Sequence, residues 1–181
     1  FVHLAERARK EGLDSIASDI PGAPHPFMGD GLQMIVDGLD EETVQERCER
    51  DILVTRHRHN QISAIFRSAG TFAPIFGLLG TLIGVVQVLR NITDPSAMGA
   101  SMAVAMTASF YGIFSANFLF LPISNKLTFY SEEEMISREL IAKGLHCLQQ
   151  GEAPWLMAKK LEAYLSFHLR RGGAKKYRVS A

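Results

Sequence analysis

The stretch APIFGLLGTLIGVVQVL, Ala73 to Leu89, decides how this chain is read. It carries no charge, yet it is not uniformly greasy. Glycines recur at Gly77, Gly80 and Gly84, Thr81 sits near the centre and Pro74 near the start. Extended outward, the uncharged run spans Ser68 to Leu89, with Arg67 and Arg90 at its edges. A helix of about 22 residues is roughly 33 Å long, close to the hydrocarbon thickness of a bilayer. A second uncharged run covers Pro95 to Asn125 and ends at Lys126. Its length, about 31 residues, exceeds one span, and a tilted helix absorbs the excess. Two such runs predict an all-α integral membrane protein.

The flanks set an orientation. Arg47, Arg50, Arg56, Arg58 and Arg67 precede the first run, and Lys126, Arg138 and Lys143 follow the second. The link between the runs holds only Arg90 and Asp94. Basic residues favour the cytoplasmic side, so both ends of this segment are expected there, with the short link outside. The whole chain has 181 residues, 19 Lys and Arg against 19 Asp and Glu. That balance excludes a bulk nucleic-acid binder, which would be clearly basic. Cys48 and Cys147 lie far apart without a CxxC pattern and read as reduced, buried thiols. The start at Phe1 rather than Met leads us to expect residues upstream.

Outside the spans the pattern is helical. Residues 2–20 place Ala5, Ala8, Leu13 and Ile16 near one face, until PGAPHP breaks the run at Pro21–Pro26. A short helix is expected from Phe27 to Val36. Asp40 suits the N-cap of a long helix with an inward stripe of Val44, Cys48, Ile52, Thr55, His59, Ile62 and Phe66. That helix is expected to continue into the first span, and the second span to run on to Gly151. Pro154 suits the first turn of a last helix ending near His168, followed by a basic, disordered tail. The chain thus divides into a cytoplasmic helical region, 1–66; two transmembrane helices within 67–126, at about 68–89 and 97–125, joined by a periplasmic loop at 90–96; and C-terminal cytoplasmic helices with a basic tail, 127–181. No nucleophile–base set or metal cluster stands out, and His57 and His59 are wrongly spaced for two ligands on one helical face, so neither an enzyme nor a metal site is expected.

The glycines have a physical reason. In lipid, apolar bulk does little to join helices, and small residues that permit close approach do more. Gly80 and Gly84 form a GxxxG pair, with Gly77 and Ala73 a turn apiece earlier. The second span has its own small stripe of Ala97, Ser101, Ala105, Ala108, Gly112 and Ser115. Small residues off that line point to further helices from other copies or a partner. The spans also carry Thr71, Thr81, Gln87, Thr107, Ser109, Ser115, Asn117 and Ser124, but no carboxylate, Lys, Arg or His. An ion crossing here meets a polar lining without a titratable carrier, and the carboxylate that such relays use must come from another polypeptide. Pro74 and Pro122 each remove a backbone bond near the inner end of a span, where a hinge can form.

The run from FAPIFGLLGTLIG through SFYGIFSANFLFLPISNKL resembles the third and fourth transmembrane segments of the A subunit of the bacterial flagellar stator, the MotA/PomA type. This type belongs to the wider MotA/TolQ/ExbB proton-channel superfamily. ARKEGL, GLQMIVDG and KGLHCLQQGEAP are similar to that family's cytoplasmic segments, in the same order. The resemblance implies that the first two family spans are absent from this chain. It also implies a pentamer of A subunits around a dimer of B subunits in the inner membrane. Each B subunit then brings a transmembrane aspartate, and the rotor switch protein meets the cytoplasmic A helices. By position, Thr81, Ala108, Ser109 and Tyr111 match the ion pathway. Pro74 and Pro122 match the two prolines that couple ion flow to torque, and Gly77, Gly80, Gly84 and Gly112 fall at helix packing positions. Arg9 and Lys10 match a basic pair that meets the rotor. The family's acidic partners fall on Ala17 and Ser18, with Asp14 and Asp19 as nearby substitutes. Sodium-type members carry a Thr-Thr pair where this chain has Ala108-Ser109, and the loss of one hydroxyl favours protons over sodium as the conducted ion. No bound cofactor is implied.

Three functions follow as expectations. The first is an ion-driven torque generator in which this chain is the ring-forming channel subunit. The second is a TolQ- or ExbB-like energiser driving a periplasmic partner. The third is a non-conducting membrane scaffold. The long segment ahead of the first span favours the stator.

Overall fold

The computed structural model describes residues 1–164, and among these every regular element is helical. The expected end of the last helix near His168 and the basic tail lie outside the described residues. The elements are α1 (Val2–Glu11), a 3₁₀ segment (Leu13–Gly22), α2 (Pro26–Val36), α3 (Glu41–Arg90), α4 (Pro95–Ser115), a π turn (Ala116–Phe120), α5 (Leu121–Gln149) and α6 (Pro154–Glu162). They divide into two compact units, Phe1–Thr55 with the residues from Glu133 onward, and Arg56–Glu132.

The first unit has a closed apolar core. Leu4 and Ala5 of α1, Ile16 of the 3₁₀ segment and Phe27, Met28, Leu32 and Ile35 of α2 pack with Val44, Cys48 and Ile52 of α3. Met135, Ile141, Leu145, Cys147 and Leu148 of α5 and Met157 of α6 complete it. Gly31 is needed where α2 meets α5, because a Cβ there would lie 2.1 Å from Cδ1 of the buried Leu145. Asp40 caps α3 as expected: its carboxylate accepts from the Thr43 amide at 3.1 Å and the Thr43 hydroxyl at 2.6 Å. Those bonds hold its carboxyl below the usual aspartate range. Cys48 and Cys147 are both free and buried.

One helix is shorter than the sequence pattern implies. The face carrying Ala5, Ala8, Leu13 and Ile16 does turn to the core, but α1 stops at Glu11 rather than near residue 20. Gly12 takes φ 89° and ψ 166°, a conformation open to glycine and few other residues, and its amide closes the helix on the Ala8 carbonyl at 2.9 Å. The chain continues as the 3₁₀ segment, which ends around Pro21 and is tied back to α1 by Arg7–Asp19 at 2.7 Å.

The second unit is the apolar pair. α3 runs unbroken through Pro74 to Arg90, and α4 opens at Pro95, with Asp94 accepting from the amides of Ser96 and Ala97 at 3.0 and 3.4 Å. Both long helical runs are apolar and long enough to cross a membrane. Only 11% and 17% of their most apolar windows are buried within the chain, so the greasy side chains point outward, as in a lipid- or protein-covered span and unlike a soluble core. Leu82, Ile83, Phe110 and Phe118 are all more than half exposed.

The inward stripe of α3 departs from expectation in this unit. Ile62 is exposed, and the buried position at that turn is Ser63. A hydrophobic pattern selects Ile62 because it is the apolar residue at that turn. The helix instead turns its serine inward, where partners on α5 satisfy the hydroxyl.

Candidate functional site

Small residues set the separation of α3 and α4. A Cβ on Gly112 would lie 2.8 Å from the Ala73 carbonyl and 2.9 Å from Gly77 Cα, so the two backbones touch at this level. Gly80 faces the Ala108 methyl, and Gly84 faces Ala105 and the Ser101 carbonyl. All four glycines read as packing positions therefore lie in the seam, and each meets its partner across it. The contact is close because neither helix carries bulk there, which is how helices gain dispersion contacts in a solvent as apolar as themselves.

At the edge of this seam two hydroxyls meet. Thr81 Oγ1 lies 2.9 Å from Ser109 Oγ, 3.1 Å from the Gly77 carbonyl and 3.3 Å from the Ala105 carbonyl. A hydroxyl has one proton and two lone pairs. When Thr81 donates to a backbone carbonyl and Ser109 donates to Thr81, the lone pairs of Ser109 remain open. Both residues are half-buried. The pair is thus a neutral oxygen site on the seam's edge, able to accept a hydrogen bond or solvate a cation but not to carry a proton as an acid. Of the four positions that the resemblance assigns to an ion pathway, the structure brings together Thr81, Ala108 and Ser109. Tyr111 stands apart from them, 64% exposed and edge-on to Phe110 at 5.6 Å.

A second hydroxyl cluster holds α3 to α5 and was not singled out from the sequence. Ser63 donates to the Ser124 carbonyl at 3.1 Å and Ser124 donates to the Ser63 carbonyl at 3.0 Å, a reciprocal clasp. Thr128 Oγ1 lies 2.8 Å from Ser63 Oγ and donates to the Ser124 carbonyl at 3.0 Å. Ser63 and Ser124 are buried. Each hydroxyl finds a partner inside the cluster, so it joins helices and offers no open ligand. Pro74 sits in continuous helix, with Gly70 four residues before it against the Leu121 side chain. Pro122 follows immediately on Leu121, after the π turn.

In the other unit Arg9, Lys10 and Asp14 are exposed, as a contact surface requires. Asp19 is engaged within the chain by Arg7, and Ser18 also accepts from Arg7 at 3.2 Å. The two histidines of the HRH stretch turn to different partners, His57 to Gln61 at 3.0 Å and His59 to Ser131 at 3.2 Å.

Residues 20–140 match the family described as the MotA/TolQ/ExbB proton channel family. The chain is 37% identical over 166 residues to the chemotaxis protein PomA of Vibrio alginolyticus, covering 92% of this chain and 65% of that protein. It is also 37% identical over 166 residues to motility protein A of Borreliella burgdorferi, covering 92% and 64%. The chain thus spans just under two thirds of the length of these relatives. Among solved structures it is similar to the flagellar MotAB stator complex from Bacillus subtilis, with a TM-score of 0.88, 33% identity and coverage of 96% of this chain and 68% of that one. It is likewise similar to C. jejuni MotAB, with a TM-score of 0.86, 26% identity and coverage of 99% and 68%. The matched residues take in both apolar helices and the glycine seam between them, and the chain belongs to the MotA/TolQ/ExbB proton channel family.

Proposed function

We propose that this chain is the channel-forming part of a flagellar stator A subunit, which passes protons, or alternatively sodium, across the bacterial inner membrane and converts that flow into torque. The observation that carries the reading is the Thr81–Ser109 oxygen pair, 2.9 Å apart, in spans with no carboxylate, Lys, Arg or His. Such a pair solvates a passing cation but needs a carboxylate from a second protein to relay it. The partner is a B subunit supplying one transmembrane aspartate. The outward-facing apolar surfaces then serve other A copies, arranged as a pentamer around a B dimer, and the lipid. The basic flanks Arg47, Arg50, Arg56, Arg58 and Arg67, with Lys126, Arg138 and Lys143, support a cytoplasmic side for both ends of this segment. There, Arg9, Lys10 and Asp14 are free to meet the rotor switch protein. Protons are preferred because Ala108 offers no oxygen beside Ser109, and sodium takes several oxygens in its shell.

The test is co-expression of the full-length A subunit with candidate B subunits in a strain lacking stators. Motility restored with a B subunit, equal in sodium-free and sodium-rich media, is the expected result. Motility confined to sodium-rich medium assigns the other ion. A complex that assembles but drives no rotation in either medium overturns the stator reading.

A further inference from the structure

We propose that Asn117 and the π turn around it form a second oxygen station for the conducted cation, on the Pro122 side of the Thr81–Ser109 pair. The inference rests on the conduction reading above and deepens it. It begins with the backbone bonds of one turn. The Leu121 amide donates to the Ala116 carbonyl, five residues back. The Asn117 carbonyl would take the amide of residue 121 in an α-helix or of residue 122 in a π turn. The first is committed to Ala116, and the second is a proline with no N–H to give. The carbonyl is left without a helical donor.

The Asn117 side chain adds a second acceptor. Its Nδ2 donates to the Ile113 carbonyl at 2.9 Å. Only the amide nitrogen can donate to a carbonyl, so the orientation is fixed and Oδ1 is the outward atom. Asn117 is exposed on the span. An unpaired carbonyl in hydrocarbon is costly, and irregular backbone at this depth survives where it faces protein or a wet path. Both free atoms are acceptors, which suits a cation or its water and not an anion. Ser109, Ile113 and Asn117 follow at intervals of four, along one side of the helix, and the Ile113 carbonyl lies between the two stations. Eight residues of helix rise about 12 Å. A hydronium or sodium ion leaving Ser109 therefore meets the next oxygens one step further along the same edge.

The experiment uses the full-length A subunit with its B subunit in a strain lacking stators. Rotation speed is measured against external sodium at fixed pH, and against pH without sodium, so that the two cations are told apart. Asn117→Ala removes the side-chain oxygen and Asn117→Ser keeps one, at nearly equal size. Pro122→Ala returns an N–H to the helix. We expect Asn117→Ala to raise the half-saturating concentration of the driving cation toward about tenfold, the scale of one hydrogen bond to a charged group. Asn117→Ser should recover most of that shift, and Pro122→Ala should move it in the same direction as Asn117→Ala. A shift below about threefold in Asn117→Ala at wild-type membrane abundance overturns the station. Equal shifts in the Ala and Ser variants overturn it as well. If the unsubstituted pair drives no rotation with either cation, the conduction reading itself fails and the station falls with it.

Discussion

Thr81 and Ser109 share a hydrogen bond of 2.9 Å across the seam between α3 and α4, and the Gly77 carbonyl competes for the Thr81 proton at 3.1 Å. Thr81→Val keeps the shape and removes the oxygen. The seam then loses one bond, about 0.5–1.5 kcal/mol, which a packed hairpin tolerates. Rotation should be lost while membrane abundance stays normal, and Thr81→Ser should restore it. Wild-type swimming in Thr81→Val, scored beside abundance by immunoblot, would remove Thr81 from the pathway.

Ala108→Thr is the obvious way to rebuild the two-hydroxyl pattern of sodium-type relatives, and the geometry opposes it. The Ala108 methyl is packed on Gly80, where an added Cβ would lie 2.6 Å from it. The larger side chain overfills the seam, at about 1–3 kcal/mol. Ala108→Thr should therefore lower the melting temperature of the purified complex and yield no sodium-dependent rotation. Unchanged melting with a gain of sodium dependence would show that the seam at Gly80 is looser than its contacts imply.

The spans were legible because a bilayer leaves few choices: an uncharged run of the right length must be a helix, and its glycines must face another helix. Thr81 and Ser109 were each legible, since a hydroxyl in such a run is conspicuous, but their meeting across the seam was not. The Asp40 cap was legible because capping chemistry is local. What escaped were features set by a partner elsewhere in the chain. Ser63 is polar, and only Ser124 and Thr128, more than sixty positions away, explain why it faces inward. Gly12 sits in an otherwise helical pattern, and nothing local reveals that its φ becomes positive. The π turn leaves no compositional mark except Pro122.

Arg9→Glu tests the rotor surface. Arg9 and Lys10 are exposed on the last turn of α1, whereas Asp19 is held by Arg7 at 2.7 Å. Reversing an exposed charge costs little folding stability, within about 0.5 kcal/mol. Torque should fall sharply, while ion leak through an unplugged complex is retained. Asp19→Ala should instead act through the 3₁₀ segment and loosen it, seen as faster amide exchange over residues 13–22. If Arg9→Glu abolishes the leak too, the charge serves folding and not engagement.

Cys48 is a test of the first unit's core. Burial, aided by Asp51 and Glu49, pushes its thiol up to about 11. At neutral pH roughly one molecule in ten thousand carries the thiolate that alkylating reagents attack. Iodoacetamide should leave Cys48 unlabelled in the folded protein at pH 7 and label it fully after denaturation, as read by peptide mass spectrometry. Rapid labelling under native conditions would mean that α2 and α3 separate readily.

Glu152, just ahead of α6, and Lys160, in its last turn, fasten the helix to the segment that leads into it, and their titration sets a pH window for that fastening. The hydrogen bond from Lys160, the largest influence, holds the Glu152 carboxyl below its usual value of 4.5. The same bond lifts the Lys160 ammonium above its usual 10.5. A lowered carboxyl contributes stability that is present above the usual value and disappears as pH falls through the lowered one. A raised ammonium contributes below its usual value, and that contribution is lost as pH rises through the raised one. The fastening is therefore intact across the neutral range and fails first on the acid side. Amide exchange over residues 154–162 of the full-length protein should stay slow from neutral pH down to the glutamate range and then quicken. Glu152→Gln should give faster exchange already at neutral pH and no acid step. An acid step that survives in Glu152→Gln would assign it to another carboxylate of the first unit.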